Sequence, residues 1–541
     1  MRHRGDPELG GPPLTQIHTS GLWAAPWLLL VLPLLLRALP WGRGALERPP
    51  AWRVDLPLGA AAAVVVALSS TMFLSHPLTE YFPLSAADFG QYCELVARVA
   101  VGDVEQHTGV RMPGPAVLPA ALIPWVGLID GLAIQSFLAL VATCGGLYLW
   151  GLVLHGRLAG LCTVVLVGGI LPLAFLSRDL SFYPVVVASS VVSAAGVASM
   201  VRFRGPSSAA LTGLAVAVLL LTDVRGVLFA APLLALSLLF SVVRARAWRF
   251  ALVRLALVLA PVVASWFVAR AVVPSGLTGL QMQAVMYADQ AVHNAGEDSG
   301  ILAPLKARAE REPGFVWGHR SPIELAATFG FLRELTARIP PAVRDSEQNR
   351  RMRADHLTPW VLPGMVSLVI CVLGLWRQRW RLAALLLCIG PFLSMLWATG
   401  QVLPQERHLA TGLAVLPLLM GIAVAVLAGA HAGSGGGDSA PAPRSHPWRY
   451  VLLVGAIAAA LCGLPPTWLG HRAGWRRGIV QSEPRTVLQA VHDGGRDGGE
   501  HCSEALARGR ADPHWPSRLY PRARRVLDGS DTQPRGHWMV K

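Results

Sequence analysis

YPVVVASSVVSAAGVASMVRFRGPSSAALTGLAVAVLLLTDVR, residues 183–225, holds two apolar blocks joined by a short basic link and closed by a short polar turn. The blocks at 183–201 and 207–222 approach the roughly 20 residues that carry a helix across a bilayer core. Neither alternates apolar and polar residues at every second position, as a barrel strand would, so both are predicted helices. Arg202 and Arg204 lie in the link, and the positive-inside rule assigns such a link to the cytoplasm. The turn Thr222-Asp223-Val224-Arg225 then falls on the opposite side of the membrane.

The same pattern recurs in both directions along the chain. Apolar candidates occupy 22–40, 56–74, 132–154, 158–176, 224–242, 251–272, 359–376, 381–398, 409–430 and 449–465. With 53% apolar residues among 541 and a mean hydropathy of +0.47, the chain exceeds what one soluble core would hide. The predicted class is all-α: a polytopic membrane protein with about 11–12 transmembrane helices and extracytoplasmic loops. The count depends on 22–40, which either spans or lies in the interface.

A net charge of +15 suggests a polyanion partner until the arginines are located. They sit between helices: Arg37, Arg43, Arg48 and Arg53 before residue 56, then Arg244, Arg246, Arg249 and Arg254, then Arg377, Arg379 and Arg381. Scattered in this way they set topology, and no nucleic-acid partner is expected. The segments that alternate with them all fall outside. These are 75–131, the turn Ser177-Arg178-Asp179, the turn at 222–225, the loop 273–358, Gln405-Glu406-Arg407-His408 and the tail after Pro465. The working face is therefore expected to be extracytoplasmic.

The seven cysteines do not form a disulfide framework. Five lie in apolar blocks, and only Cys93 and Cys502 fall in outer segments where an oxidising compartment could join them. The first apolar block contains Pro33 and is followed by arginines instead of a small-residue cleavage site, so it reads as a retained segment and not as a signal peptide. GSGGGDSAPAPRSHP, 433–447, has the composition of a flexible linker. The chain then divides into an N-terminal segment 1–55, a transmembrane core 56–272 with its first outer loop 75–131, and an outer loop 273–358. C-terminal helices 359–430, a cytoplasmic linker 431–448, a last helix 449–465 and an outer tail 466–541 complete it. Amphipathic pieces are expected at Gln281–His293, Ile323–Ile339 and Glu483–His492.

The first outer loop is far longer than a turn requires. LSAADFGQYCELVAR, 84–98, reads as an interfacial helix starting at Ser85 or Asp88, with Phe89, Cys93 and Val96 on one face. Pro115–Gly131 is apolar and expected to be broken by Pro119 and Pro124. Between them stands Arg111-Met112-Pro113-Gly114-Pro115. Asp88 and Glu94 are six residues apart and point roughly 120° away from each other on a helix, so they do not form a carboxylate pair.

An early span, a long first outer loop opening on an acid, an RxPGxP-like element and closely spaced later spans resemble the GT-C glycosyltransferases. Within them the resemblance is to the branch of protein O-mannosyltransferases and lipid A aminoarabinose transferases. It runs through 56–272, with support from 359–430. Ser177-Arg178-Asp179 within LPLAFLSRDLSFYP is similar to the family's second acidic position, and Glu406-Arg407-His408 enters a late span containing Pro417. The pattern departs where many relatives have two adjacent acids, since Phe89 follows Asp88.

The resemblance implies sugar transfer from a polyprenyl-phosphate donor in the membrane to a protein, lipid or glycan acceptor at the outer surface of a bacterial cytoplasmic membrane. Asp88 is then the expected general base. Arg178, Arg225, Arg407 and His408 are the expected donor-phosphate ligands. Asp179, Glu406, His319 and Arg111 are expected to orient the arginines or hold the acceptor. No cofactor is required by the reading; the superfamily admits a divalent metal, for which the sequence shows no ligand cluster.

Plainer readings stand beside these. Asp88 could cap its helix, the charges at 178–179 and 223–225 could be solvated span ends, and Arg407 and His408 could anchor a helix at the headgroups. His319 reads first as an ordinary loop histidine. A transporter would show polar groups at midplane and broken repeats, and an ATP-driven pump a GxxxxGK[ST] loop; neither pattern is present. The remaining alternatives are a lipid-linked glycan ligase or polymerase, and a non-catalytic binding or scaffold protein.

Overall fold

The computed structural model describes residues 52–74, 86–102, 114–168, 179–203, 205–222, 224–243, 247–272, 358–402 and 406–428, with single positions at 170, 173, 176 and 245. These residues contain helices and no strands. In chain order they are α1 Trp52–Leu74, α2 Ala86–Val101, α3 Gly114–Leu154, α4 Arg157–Val167, α5 Tyr183–Arg202 and α6 Pro206–Leu220. There follow α7 Val224–Val243, α8 Trp248–Val272, α9 Thr358–Leu375, α10 Arg379–Val402, α11 Glu406–Leu413 and α12 Val415–Leu427. Five stretches are long and apolar enough to cross a membrane: Asp130–Leu154, Tyr183–Arg202, Trp248–Ser265, Arg379–Leu396 and Ala410–Leu427. Five shorter apolar helices accompany them.

The protein is thus an all-helical polytopic membrane protein, and ten of the candidate spans fall on described helices. The candidates at 22–40 and 449–465 lie outside the described residues, as do the loop 281–339 and the tail. Two boundaries differ from expectation. The helix expected over 158–176 stops at Val167. The one expected over 409–430 is divided at Ala414 into α11 and α12.

α5 and α12 are the most buried spans: 89% of each span window is buried, against 22% for α8; α5 packs on α3, α6 and α7, and α12 on α4 and α9. Small residues let the backbones close on each other where apolar burial alone gives helices in lipid little reason to associate. A Cβ at Gly213 of α6 would stand 2.5 Å from the Leu257 carbonyl oxygen of α8, and one at Gly160 of α4 would stand 2.8 Å from that of Tyr148 in α3. Phe392 of α10 bridges α3 and α7, with ring centroids 5.7 Å from Trp150 and 4.8 Å from Phe229. Hydroxyls inside the spans return their hydrogen bonds to the preceding turn, as Ser237 does to Leu233 and Thr212 to Ser208, and so stay satisfied in an apolar setting.

One end of the bundle is organised by arginine. Arg157 at the start of α4 pairs with Asp55 of α1 through Nε and Nη2, the second contact at 3.1 Å. Arg202 Nη1 donates to the carbonyls of Leu152 and Val153 at 3.0 and 2.9 Å, Arg381 Nη1 to that of Leu154 at 3.5 Å, and Arg254 Nη2 to that of Met200 at 3.0 Å. The last turns of α3 and α5 have carbonyls without intrahelical partners, and arginines from neighbouring elements fill them. Arginines near this end therefore cap the last turns of α3 and α5. Arg254 sits fully buried inside α8 and not in the loop before it.

Candidate functional site at the opposite end

A second buried cluster lies at the other end, built from α2, both arms of α3 and the start of α5. It contains Tyr92, Cys93, Leu95, Val96 and Ala97 of α2, Ala116 and Ala120, Leu132 and Ala133, and Leu180, Phe182, Tyr183 and Val186. Of the apolar face expected on α2, Cys93 and Val96 are buried; the Phe89 side chain lies outside the described residues. The helix begins at Ala86, which puts Asp88 in its first turn, where a carboxylate is favoured by the helix dipole.

α3 turns at Gly127, not at Pro119 or Pro124. Gly127 has φ 82° and ψ 175°, a backbone that side-chain-bearing residues rarely adopt. The arm before it returns along the arm after it, because a Cβ at Gly131 would meet the Pro119 carbonyl oxygen at 3.1 Å. Prolines lose one hydrogen bond each but leave the remaining turns intact, whereas positive φ reverses the chain. Both prolines sit inside the first arm.

Polar side chains fasten the arms to one another. Tyr92 donates its hydroxyl to the Pro115 carbonyl at 2.7 Å and accepts from Gln135 Nε2 at 2.9 Å. Ser136 donates to the Asp179 carbonyl oxygen. Asp179 Oδ1 accepts the Ser181 N–H at 3.0 Å, and Ser181 Oγ in turn accepts the Tyr183 N–H at 3.2 Å. This is an Asx-type turn leading into α5, where Pro184 fits the first turn. The Phe182 ring lies edge-on to Tyr92 at 6.3 Å and stacks on Tyr183 at 4.3 Å. Asp179 is 1% exposed and Arg98, in the last turn of α2, 0% exposed.

Two further connections reach this end. Gly114, in the Arg111–Pro115 element, packs so closely on Leu221 that a Cβ would collide with its carbonyl oxygen. That close approach sets the start of α3 beside the end of α6. α11, which carries Glu406, Arg407 and His408, packs on α5 and α10, with Gly412 against Leu396.

The structure thus places the backbone of Asp88 in the first turn of α2, of Arg225 at the start of α7, and of Glu406, Arg407 and His408 in the first turn of α11. Asp179 alone among the expected site residues has a described side chain, and its Oδ1 is engaged in the turn. Arg178, Arg111 and His319 lie outside the described residues. Sequence reading passed over Tyr92, Gln135 and Ser136, the polar ties of the cluster. The available signal was the Gln135-Ser136 pair within an otherwise apolar block. Among the described residues no group of three His, Cys, Asp or Glu comes together.

No protein-family model matches the chain, and no curated protein does. Solved structures do. The apo form of the Archaeoglobus fulgidus oligosaccharyltransferase superposes with a TM-score of 0.51 at 13% identity, covering 77% of this chain and 56% of that one. The same enzyme tethered through a disulfide to an acceptor peptide containing the NVT sequon gives 0.50 at 12% identity, covering 91% and 62%. This chain therefore spans less than two thirds of its neighbour's length. At such identity the shared property is the fold: this chain is an all-helical polytopic membrane protein whose architecture is similar to that of the oligosaccharyltransferase.

Proposed function

We propose that the protein is a membrane glycosyltransferase that moves a sugar from a polyprenyl-phosphate-linked donor to an acceptor at the extracytoplasmic face of a bacterial cytoplasmic membrane. The observation that carries this reading is the separation of the two ends. Arginine caps close one, while α2, with Asp88 in its first turn, is fastened to α3 and the entry to α5 at the other.

In this reaction an acceptor oxygen attacks the anomeric carbon. The bond from that carbon to the phosphate oxygen breaks, and the polyprenyl phosphate leaves with the electron pair. Asp88 takes the acceptor proton, a role open to a carboxylate at the membrane boundary. Arg178, Arg225, Arg407 and His408 neutralise the charge that develops on the phosphate. Arg111 orients those arginines or holds the acceptor. Asp179 positions the α5 entry, and with it Arg178, while Glu406 and His319 serve the acceptor side.

The likeness to an oligosaccharyltransferase, one of whose structures holds an acceptor peptide, recommends including oligosaccharide donors and peptide acceptors in the test. Membranes with the native protein or Asp88→Asn are given radiolabelled sugars on polyprenyl mono- and diphosphates, with peptide, lipid and glycan acceptors. The native protein is expected to transfer at least one sugar and the variant to lose about 100-fold or more, the usual scale of general-base catalysis. Full transfer by the variant removes Asp88 from the mechanism. Absence of transfer by the native protein across the panel overturns the enzyme reading in favour of a binding or scaffold role.

A further inference from the structure

Arginines gather at the capped end of the bundle, and among those described at the α3 terminus, the start of α4 and the α9–α10 turn only Arg157 is in ion-pair contact with a carboxylate. Arg157 is paired with Asp55. Arg202 and Arg381, both half-buried, each spend one terminal nitrogen on the closing carbonyls of α3, so two like charges share a single helix end. Arg377 and Arg379 are exposed in the turn between α9 and α10, flanked by Trp376 at 67% and Trp380 at 43% exposure. Among the described residues no carboxylate lies within ion-pair distance of Arg202, Arg377, Arg379 or Arg381. The α3 terminus supplies only about half a negative charge, and Asp55, already paired with Arg157, adds a more distant attraction on Arg202. The positive-inside rule accounts for the sign of these residues but not for their collection around one turn.

We propose that the α9–α10 turn binds the phosphate headgroup of an anionic phospholipid in the adjoining leaflet. A phosphodiester matches the guanidinium fork. Exposed tryptophans on both sides set the turn at headgroup depth, where a lipid phosphate is held in place and a soluble one is not. An acyl track leads to the same point: Met365, Val369, Leu373 and Trp376 of α9 and its following turn, at 64%, 58%, 71% and 67% exposure, recur every three or four residues. They make one apolar stripe that ends at Arg377. Headgroup site and chain track are therefore continuous, and the proposal does not depend on the reaction at the other end.

The test uses the full chain in nanodiscs of equal phosphatidylglycerol and phosphatidylcholine, released into the gas phase for native mass spectrometry of retained lipid. The native protein is expected to retain phosphatidylglycerol preferentially. Arg377→Gln with Arg379→Gln lowers that preference by about fivefold per arginine, the factor that about 1 kcal/mol per basic residue implies. Arg249→Gln, at an exposed arginine stacked on Trp248 in another basic connection, leaves it unchanged. Equal retention of the two lipids by the native protein overturns the proposal. So does an Arg249 variant that loses as much as the double variant, since diffuse positive charge then suffices. Adding inorganic phosphate separates the sources: retention that survives it supports a lipid site, and displacement without lipid preference assigns the arginines to a soluble anion.

Discussion

Asp55 and Arg157 bring two charges to positions 1% and 5% exposed, where either alone would suffer the full penalty of desolvation. Asp55→Ala should therefore lower stability by about 3–5 kcal/mol, the cost of an uncompensated buried charge. Replacing the pair with Leu and Met should recover most of that loss in thermal unfolding of detergent-solubilised protein. Recovery no better than the single variant would show that the pair itself holds α1 to α4. Asp179 permits a finer distinction. Asp179→Asn keeps the Oδ1 acceptor of the turn and Asp179→Ala removes it, so only the alanine variant should lose about 1 kcal/mol of stability. Transfer activity that falls in the asparagine variant at unchanged melting temperature would show that the charge, and not the turn, serves the reaction. The acids at 88 and 179 were legible as boundary carboxylates in the sequence. That Asp179 faces inward was not, because its burial comes from α3 and its neighbours, far away in the chain.

At the scale of the element, glycine decides more than proline. Proline inside a helix that other helices surround costs one hydrogen bond, and α7, α8, α9 and α10 each carry one without breaking. Gly127 reverses the chain, and Gly127→Ala should cost about 1–2 kcal/mol through its left-handed backbone. The readout is faster proteolysis near residue 127. Gly213 acts through contact: Gly213→Leu drives a side chain into the α8 backbone at Leu257 and Val258 and should lower the melting temperature more than the same change at Gly145, where a Cβ meets nothing within 4 Å. The apolar blocks announced nearly every described helix, since length and hydropathy are local properties. The early end of α4 and the hairpin of α3 were missed, because each depends on one residue's backbone or on packing from another element.

For the whole molecule, the alternation of basic and acidic connections predicts sidedness. Single cysteines beside Asp88, His319 and Arg407 should label from outside and those beside Arg246 and Arg379 from inside, in a Cys462→Ser, Cys502→Ser background whose remaining thiols are buried. Labelling of positions 88 and 246 from the same side would invert or break the topology. The sequence by itself determined that the chain is helical, lives in a membrane and alternates short arginine-rich connections with longer or acid-containing ones, because the bilayer selects on hydropathy and charge one segment at a time. The tertiary structure alone decided that α5 and α12 are the most buried spans, that Arg202, Arg254 and Arg381 bond to the closing carbonyls of α3 and α5, and that α2 is fastened to α3 and α5 beside the candidate site. Those outcomes follow from which helices meet, and close approach at glycines and shared carbonyls at helix ends fix that only when the chain is folded.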